Sequence, residues 1–549
     1  MIPRGERTEA AAAGVPAVTG TAPGVRSVIV PMDVPGDDGA GARRRVGRRW
    51  WAGAAGAGLV ASAVLAGAVI AADPETGLAA PHACRTSVHG SAPAPQRPAT
   101  GPAAASAADF DGDGHPDLAF GSQGDVAGGA GGGSIQVAYG AEGGTGPARC
   151  QHLTQDDPGI PGKNRDESFF GSDVVARDFD EDGYTDLAAA VFDGKPSVIV
   201  MWGSADGLSR AVRVPGTDTS HVSWDDDPIL DEQLAAGDFD GDGHADLVFG
   251  LGSDKGLLEG PFERDGTPAR RAAVPAPSRP AGDVDGASYG DLVAGDLDGD
   301  GADELVTFHY DWSPDASWSR TRRPVGLFRG GPDGLTRADG VDLPDAATGA
   351  VGDVDGDGYG DLVLSPRGGD ASRSSVTVVY GSESGPGKRR TTIDRDTPGV
   401  PGEEPQDEDA VFVSLDTGDV NGDGYADVVA GASRWGPYVE PGPEQVLFLA
   451  GGPEGPTGEG ARVFEGGDLP GSHERAGFGA EVALSDLDGD HRAELVVAEP
   501  GGDTADSSVW LLPGTDDGPS AGGVTRLSGD TFDDDERLDL LMGGGGIAH

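Results

Sequence analysis

Positive charge is what this chain has least of: 39 Lys and Arg stand against 93 Asp and Glu, a formal net charge of −54. That balance argues against a nucleic-acid partner, because a phosphate backbone is held through cationic side chains. Methionine is scarce as well, at 4 residues, whereas Gly reaches 95 and Pro 41. With almost no helical pattern, such a composition fits an all-β chain of many short strands and turns. Only two cysteines occur, Cys84 and Cys150, and neither has a His or Cys partner at metal spacing. This argues against a zinc site built on them. The chain also lacks a P-loop and a His-Glu-x-x-His helix, so the residues for those two chemistries are missing. At 549 residues it has ample length for one large domain and an N-terminal extension.

Residues 1–42 are rich in Ala, Gly, Pro and Thr without periodicity and are expected to be a disordered cytoplasmic segment. Arg43-Arg44-Arg45-Val46-Gly47-Arg48-Arg49 then precedes 23 uncharged residues, Trp50 to Ala72, long enough for a single transmembrane signal anchor. The basic flank predicts that everything after Asp73 lies outside the membrane. The alternative is a signal peptide cleaved near Ala71-Ala72, with Met32 as the true start; either way the remainder is exported. Residues 73–105 read as a Pro- and Ala-rich linker. Two cysteines in an exported region are expected to pair, and a Cys84–Cys150 bridge would tether that linker to the first repeat.

What the chain has in abundance is one acidic loop, written seven times. The first copy is Asp109-Phe110-Asp111-Gly112-Asp113-Gly114-His115-Pro116-Asp117-Leu118, and further copies begin at Asp178, Asp238, Asp296, Asp353, Asp419 and Asp486. The intervals are 69, 60, 58, 57, 66 and 67 residues, the signature of an array of supersecondary units. Loop positions 1, 3, 5 and 9 carry hard oxygen ligands, and a Gly at position 6 lets the backbone turn around an ion. The candidate metal ligands are Asp109, Asp111, Asp113 and Asp117; Asp178, Asp180, Asp182 and Asp186; and Asp238, Asp240, Asp242 and Asp246. They continue as Asp296, Asp298, Asp300 and Glu304; Asp353, Asp355, Asp357 and Asp361; Asp419, Asn421, Asp423 and Asp427; and Asp486, Asp488, Asp490 and Glu494. An all-oxygen set of this kind suits calcium.

EF-hand loops open in the same way but need a carboxylate at position 12. Here that position holds Phe120, Ala189, Phe249, Thr307, Leu364, Ala430 and Val497. Each loop is followed by strand-like residues such as Leu247-Val248-Phe249, so it reads as a metal-closed β-hairpin. Asp-Gly turns that bind nothing are the plain alternative, and seven copies with the same acidic positions argue against it. In the seventh copy His491 stands where Gly is wanted, which makes that loop the weakest. A degenerate copy at Asp283 has lost its third carboxylate and turn glycine to Ala287 and Ser288.

The Asp-x-Asp-x-Asp-Gly-x-x-Asp-Leu element resembles the FG-GAP/VCBS repeats, best known from the N-terminal propeller of integrin α chains. The resemblance covers residues 105–525. Its Phe-Gly part is kept in Phe170-Gly171 and Phe478-Gly479, with a shifted Tyr289-Gly290. It implies a calcium-binding recognition or adhesion module without catalysis.

Four strands per repeat of about 60 residues make the blade of a β-propeller. In the second repeat these are Phe170–Ala176, Leu187–Val191, Pro196–Trp202 and Arg210–Val214, with the acidic loop between the first two. Seven blades over residues 106–525 follow, with a C-terminal tail at 526–549. Strand parity puts all seven acidic loops on one face and the long, variable connections on the other, where binding usually lives. Trp202 and Trp510, in third strands, are expected in the core. Trp224, Trp312, Trp318 and Trp435, with Tyr310 and Tyr438, fall in or beside the opposite-face connections. They are candidate contacts for a sugar ring or a protein ligand, or else local mini-cores over the blade edges.

The expected protein is therefore a membrane-tethered, extracellular, monomeric recognition module for a surface protein or polysaccharide. An exported carbohydrate-active enzyme, its Asp pairs imitating a glycosidase acid and base, and a ligand-free envelope scaffold are the alternatives.

Overall fold

The structure, a computed structural model, describes residues 77–89, 108–122, 132–141, 146–165, 168–192, 196–215, 232–251, 254–275, 287–311, 325–366, 374–402, 411–433, 444–472, 477–500, 507–532 and 547–548. The chain divides into two units, Met1–Ile70 and Ala71–His549, and every described residue belongs to the second. The expected membrane helix at Trp50–Ala72 lies outside the described residues, and among the described residues no helix is long and apolar enough to cross a membrane.

The second unit is a seven-bladed propeller of antiparallel sheets. Blade 2 shows the plan: Val174–Arg177, Asp186–Phe192, Pro196–Trp202 and Arg210–Arg213, hydrogen-bonded in that order. Every residue of its two middle strands is buried, which is why they read as continuous apolar runs instead of alternating ones. The expected third strand Pro196–Trp202 is present with those bounds, and Ser134–Tyr139, Gln445–Leu449 and Ser508–Leu512 take the same place in blades 1, 6 and 7. In blade 4 the degenerate copy runs straight into the inner strand Ala287–Gly295, so no second acidic turn forms over its latter half.

Seven apolar clusters seal the seven junctions between successive blades. The residue at loop position 2 plugs each one. Phe110 joins blades 1 and 2, Phe179 blades 2 and 3, Phe239 blades 3 and 4, and Leu297 blades 4 and 5. Val354, Val420 and Leu487 do the same for the remaining three. Each plug is buried, and burying such a side chain stabilises by roughly 1.5–3 kcal/mol. The acidic loop is thus anchored by an apolar residue in its own middle. Trp202 and Trp510 are fully buried, as their strand positions require.

Three short strands lie outside residues 106–525. Ile547–Ala548 pairs with Leu118–Ser122 as the innermost strand of blade 1. His82–Ala83 adds to the outer strand Arg149–Thr154 of the same blade, and Ser87–His89 adds to Val524–Leu527 of blade 7. Between these two, Cys84 is disulfide-bonded to Cys150. At the start of this strap the Leu78 N–H donates to the Ser209 carbonyl of blade 2 at 3.0 Å. One short segment therefore spans blades 2, 1 and 7.

Candidate metal centres

Each acidic loop is folded by its own carboxylates. In blade 5 the N–H groups of Gly356, Asp357 and Gly358 donate to the Asp353 carboxylate at 2.7, 3.0 and 2.9 Å. Tyr359 N–H donates to Asp357 Oδ1 at 3.1 Å. Gly358, at position 6, has φ +91°, a left-handed value that costs glycine little. The seventh loop keeps this geometry without the glycine: His491 takes φ +67°, and its N–H still donates to Asp486 Oδ2 at 2.9 Å.

Position 9 is a brace as well as a candidate ligand. Asp361 Oδ2 accepts the Val354 N–H at 3.1 Å while its Oδ1 accepts the Gly381 N–H at 2.9 Å. Asp117, Asp186, Asp246 and Asp427 repeat both contacts in blades 1, 2, 3 and 6. One carboxylate thus fastens the loop to the end of the third strand of its blade. Burial away from water raises these groups above the usual carboxylate range, and neighbouring acidic groups add to the effect. Asp186 and Asp427 are pushed up to about 8, and Asp246, Asp361 and Glu304 to about 7.

The carboxylates converge. Ligand oxygens lie within 4.8 Å of one another in the groups Asp109–Asp111–Asp117, Asp178–Asp180–Asp186 and Asp238–Asp240–Asp246, and in Asp296–Asp298–Asp300 and Asp353–Asp355–Asp357. In the same loops several side-chain oxygens at positions 1 and 3 are buried without a hydrogen-bond donor: Asp178 Oδ1, Asp180 Oδ1, Asp298 Oδ1, Asp355 Oδ1 and the amide oxygen Asn421 Oδ1. A desolvated acceptor without a partner is costly. A hard divalent cation relieves that cost with the donor chemistry present, so these residues fit calcium. Position 5 sits on the exposed rim in the first three loops, at Asp113, Asp182 and Asp242.

The loops are also laced to one another. The Asp353 carbonyl accepts the Ala426 N–H of blade 6 at 3.0 Å, and the Val354 carbonyl accepts the Gly452 N–H at 3.0 Å. The rings at position 7 lie over the position-4 glycine of the preceding loop, so a Cβ on Gly356 would come within 2.7 Å of the Tyr425 ring. Where position 4 is Glu181 instead, the next blade offers His244, and the two side chains form a pair.

Sequence reasoning missed a set of arginines. Arg149, Arg329 and Arg389 meet the position-3 carboxylates Asp111, Asp298 and Asp355 of their own blades, and Arg264 of blade 3 meets Asp180 of blade 2. They come from the end of a third strand, the start of a fourth strand and two connections between third and fourth strands, so no fixed spacing reveals them. Of the candidate ligand-contact residues, Trp224, Trp312, Trp318, Trp435 and Tyr438 lie outside the described residues, as does the side chain of Tyr310. Gly286-Ala287-Ser288-Tyr289-Gly290 has the letters of a hydrolase nucleophile elbow. Ser288 lies within a strand, opposite Tyr310, and not at the strand-to-helix turn that an elbow requires.

Residues 411–447 and 478–512 match the family model described as FG-GAP repeat, and residues 178–249 match FG-GAP-like repeat. Integrin alpha-PS2 of Drosophila melanogaster is 27% identical over 262 residues, which span 44% of this chain and 18% of that protein. Among solved structures, an Agrocybe aegerita lectin that recognises non-reducing terminal N-acetylglucosamine is 17% identical with a TM-score of 0.37, covering 65% of this chain and 78% of the lectin. BBS1N, solved in complex with ARL6DN, is 13% identical with a TM-score of 0.34, covering 69% and 94%. At those scores neither structure bears on function. The family matches fall on blades 2, 3, 6 and 7, where the acidic loops stand between first and second strands: over those residues the chain matches FG-GAP repeats, and 262 of its residues are similar to integrin alpha-PS2.

Proposed function

We propose that the chain is a calcium-binding recognition module, exported and tethered to the membrane, that holds a surface protein or a glycan. Calcium in the acidic loops would supply charge neutralisation and rigidity to one face of the ring. The observation that carries this reading is the set of buried, donor-less side-chain oxygens in loops of one repeated design whose acidic residues cluster. The similarity to an integrin α chain supports recognition, and the Cys84–Cys150 bridge supports an oxidising compartment outside the cytosol. The opposite-face residues Trp224, Tyr310, Trp312, Trp318, Trp435 and Tyr438 are the proposed ligand contacts.

The test is retention of the full chain on immobilised cell-surface polysaccharides and proteins, with calcium or with a chelator, while released products are scored. Calcium-dependent retention without products is the expected result. Release of sugar products would replace the reading with an exported carbohydrate-active enzyme. Binding that ignores the chelator would remove calcium from it.

A further inference from the structure

Arg329 lies between two blades. Its Nη1 meets Asp298 Oδ2 in the loop of blade 4 at 3.2 Å, while its Nη2 donates to the Ser384 carbonyl in the strand 3–4 turn of blade 5 at 2.7 Å. Arg389 repeats the arrangement one blade on: it pairs with Asp355 Oδ2 of blade 5 and donates to the Glu454 carbonyl of blade 6 at 3.0 Å. In both loops the arginine meets Oδ2 of the carboxylate, and the other oxygen, Oδ1, is buried with no donor. A forked guanidinium suits this double duty, because it donates along two fixed directions at once.

We propose that Arg329 and Arg389 are positioning residues that couple metal binding in one loop to the packing of the next blade. Resting on the calcium reading above, the geometry implies that each arginine fixes its position-3 carboxylate with Oδ1 turned into the loop. A metal ion drawn to Oδ1 then tightens the same carboxylate on which the neighbouring turn hangs. Blade 6 is the contrast within the molecule. Its position 3 is Asn421, which cannot form the ion pair, although Arg462 still donates to the Pro519 carbonyl of blade 7 at 3.0 Å. The bridge there lacks its anionic end. Loops 4 and 5 should therefore pass calcium occupancy to their neighbours, and loop 6 should not.

Hydrogen exchange of the full chain, titrated with calcium chloride, tests this. In the unaltered protein calcium should protect residues 296–304 and 353–361 and, at the same concentrations, the turns at 382–385 and 452–455. The turn at 515–518 should not follow loop 6. Arg329→Lys keeps the charge but loses the fork. It should abolish the calcium-linked protection of 382–385 and raise the calcium needed to protect 296–304 by about tenfold, as loss of an outer-shell partner does. A thermal midpoint in chelator close to that of the parent shows that the variant is folded; Arg389→Lys gives a second, independent case. If 382–385 gains protection equally in Arg329→Lys, or if 515–518 follows loop 6 as strongly, the coupling is refuted. If calcium protects no acidic loop in the unaltered chain, the calcium reading itself fails, a different outcome from either of these.

Discussion

The junction between blades 5 and 6 and the seam between blades 7 and 1 meet the same packing problem by different means. At the former, two backbone bonds tie the loop of blade 5 to blade 6, Ala426 N–H to Asp353 and Gly452 N–H to Val354, and Tyr425 covers Gly356. At the seam the position-8 residue is Pro116, which has no N–H to give. What remains is the 3.2 Å bond from Ala141 N–H to the Leu487 carbonyl and the contact of His115 with Gly489. The seam adds what the other junction does without: a disulfide, a strand on each outer edge and an inner strand from the far end of the chain. Where chain continuity cannot hold two blades together, a strap and a covalent bridge take over.

The sharpest way to break that contrast is to remove the bridge. Cys84→Ser with Cys150→Ser opens a loop of 66 residues and should cost about 4 kcal/mol in the chain-entropy model, read as a lowered denaturant midpoint. Hydrogen exchange should speed up at residues 118–122 and 482–485 and stay unchanged at 427–433. Uniform loss across the ring would show that the strap supports the whole fold and not the seam.

A plug at each kind of junction comes next. Phe239→Ala, in a junction without a strap, should cost about 3–5 kcal/mol. Leu487→Ala at the seam should cost about 2–5 kcal/mol, and more when the disulfide is absent. Additive costs in that double comparison would mean that strap and plug act independently.

Acid separates loop effects from seam effects, because it acts on every loop alike. The buried position-9 carboxylates have raised values, Asp186 and Asp427 about 8 and Asp246 and Asp361 about 7. The folded state therefore holds protons that the unfolded chain releases near the ordinary carboxylate value. Stability from this source is fully present below that ordinary value and is lost as pH rises through 7–8. In chelator the thermal midpoint should fall between pH 5 and 8, and calcium should reverse the fall and release protons. A midpoint that rises over the same range without calcium would refute the assignment.

The two smallest effects are expected at the left-handed residues His491 and Glu181. Replacing His491 with Gly relieves a left-handed backbone that elsewhere in the series is glycine, and should stabilise by about 1 kcal/mol. The same change at Glu181, also left-handed at φ +60°, should gain less, because it removes the pairing with His244.

Much of this was legible in the sequence. The sevenfold acidic loop fixed the number of blades, and the apolar run Pro196–Trp202 marked a third strand to the residue. The fully buried Trp202 and Trp510 follow from the same pattern. Position 2 gave its apolar character away, as Phe, Leu or Val, but not its place in the neighbouring junction, since periodicity within one strand carries no information about the next blade. The double acceptor role of position 9 was hidden for a similar reason: its second donor, for instance Gly381 to Asp361, lies a whole hairpin away. His82–Ala83, Ser87–His89 and Ile547–Ala548 are too short to show alternation at all.

The pairing of Phe120 and Ala119 with Ile547 and Ala548 sets a timetable. Blades 2 to 6 contain all four of their strands in one stretch of sequence and can assemble as they leave the ribosome. Blade 1 cannot. At about 5–20 residues per second of synthesis, Leu118–Ser122 waits roughly 20–90 s for its partner, presenting an open edge of the kind that recruits foreign strands. Ring closure therefore waits until Ile547 and Ala548 have been made, and the nascent chain needs the edge of Leu118–Ser122 shielded until then.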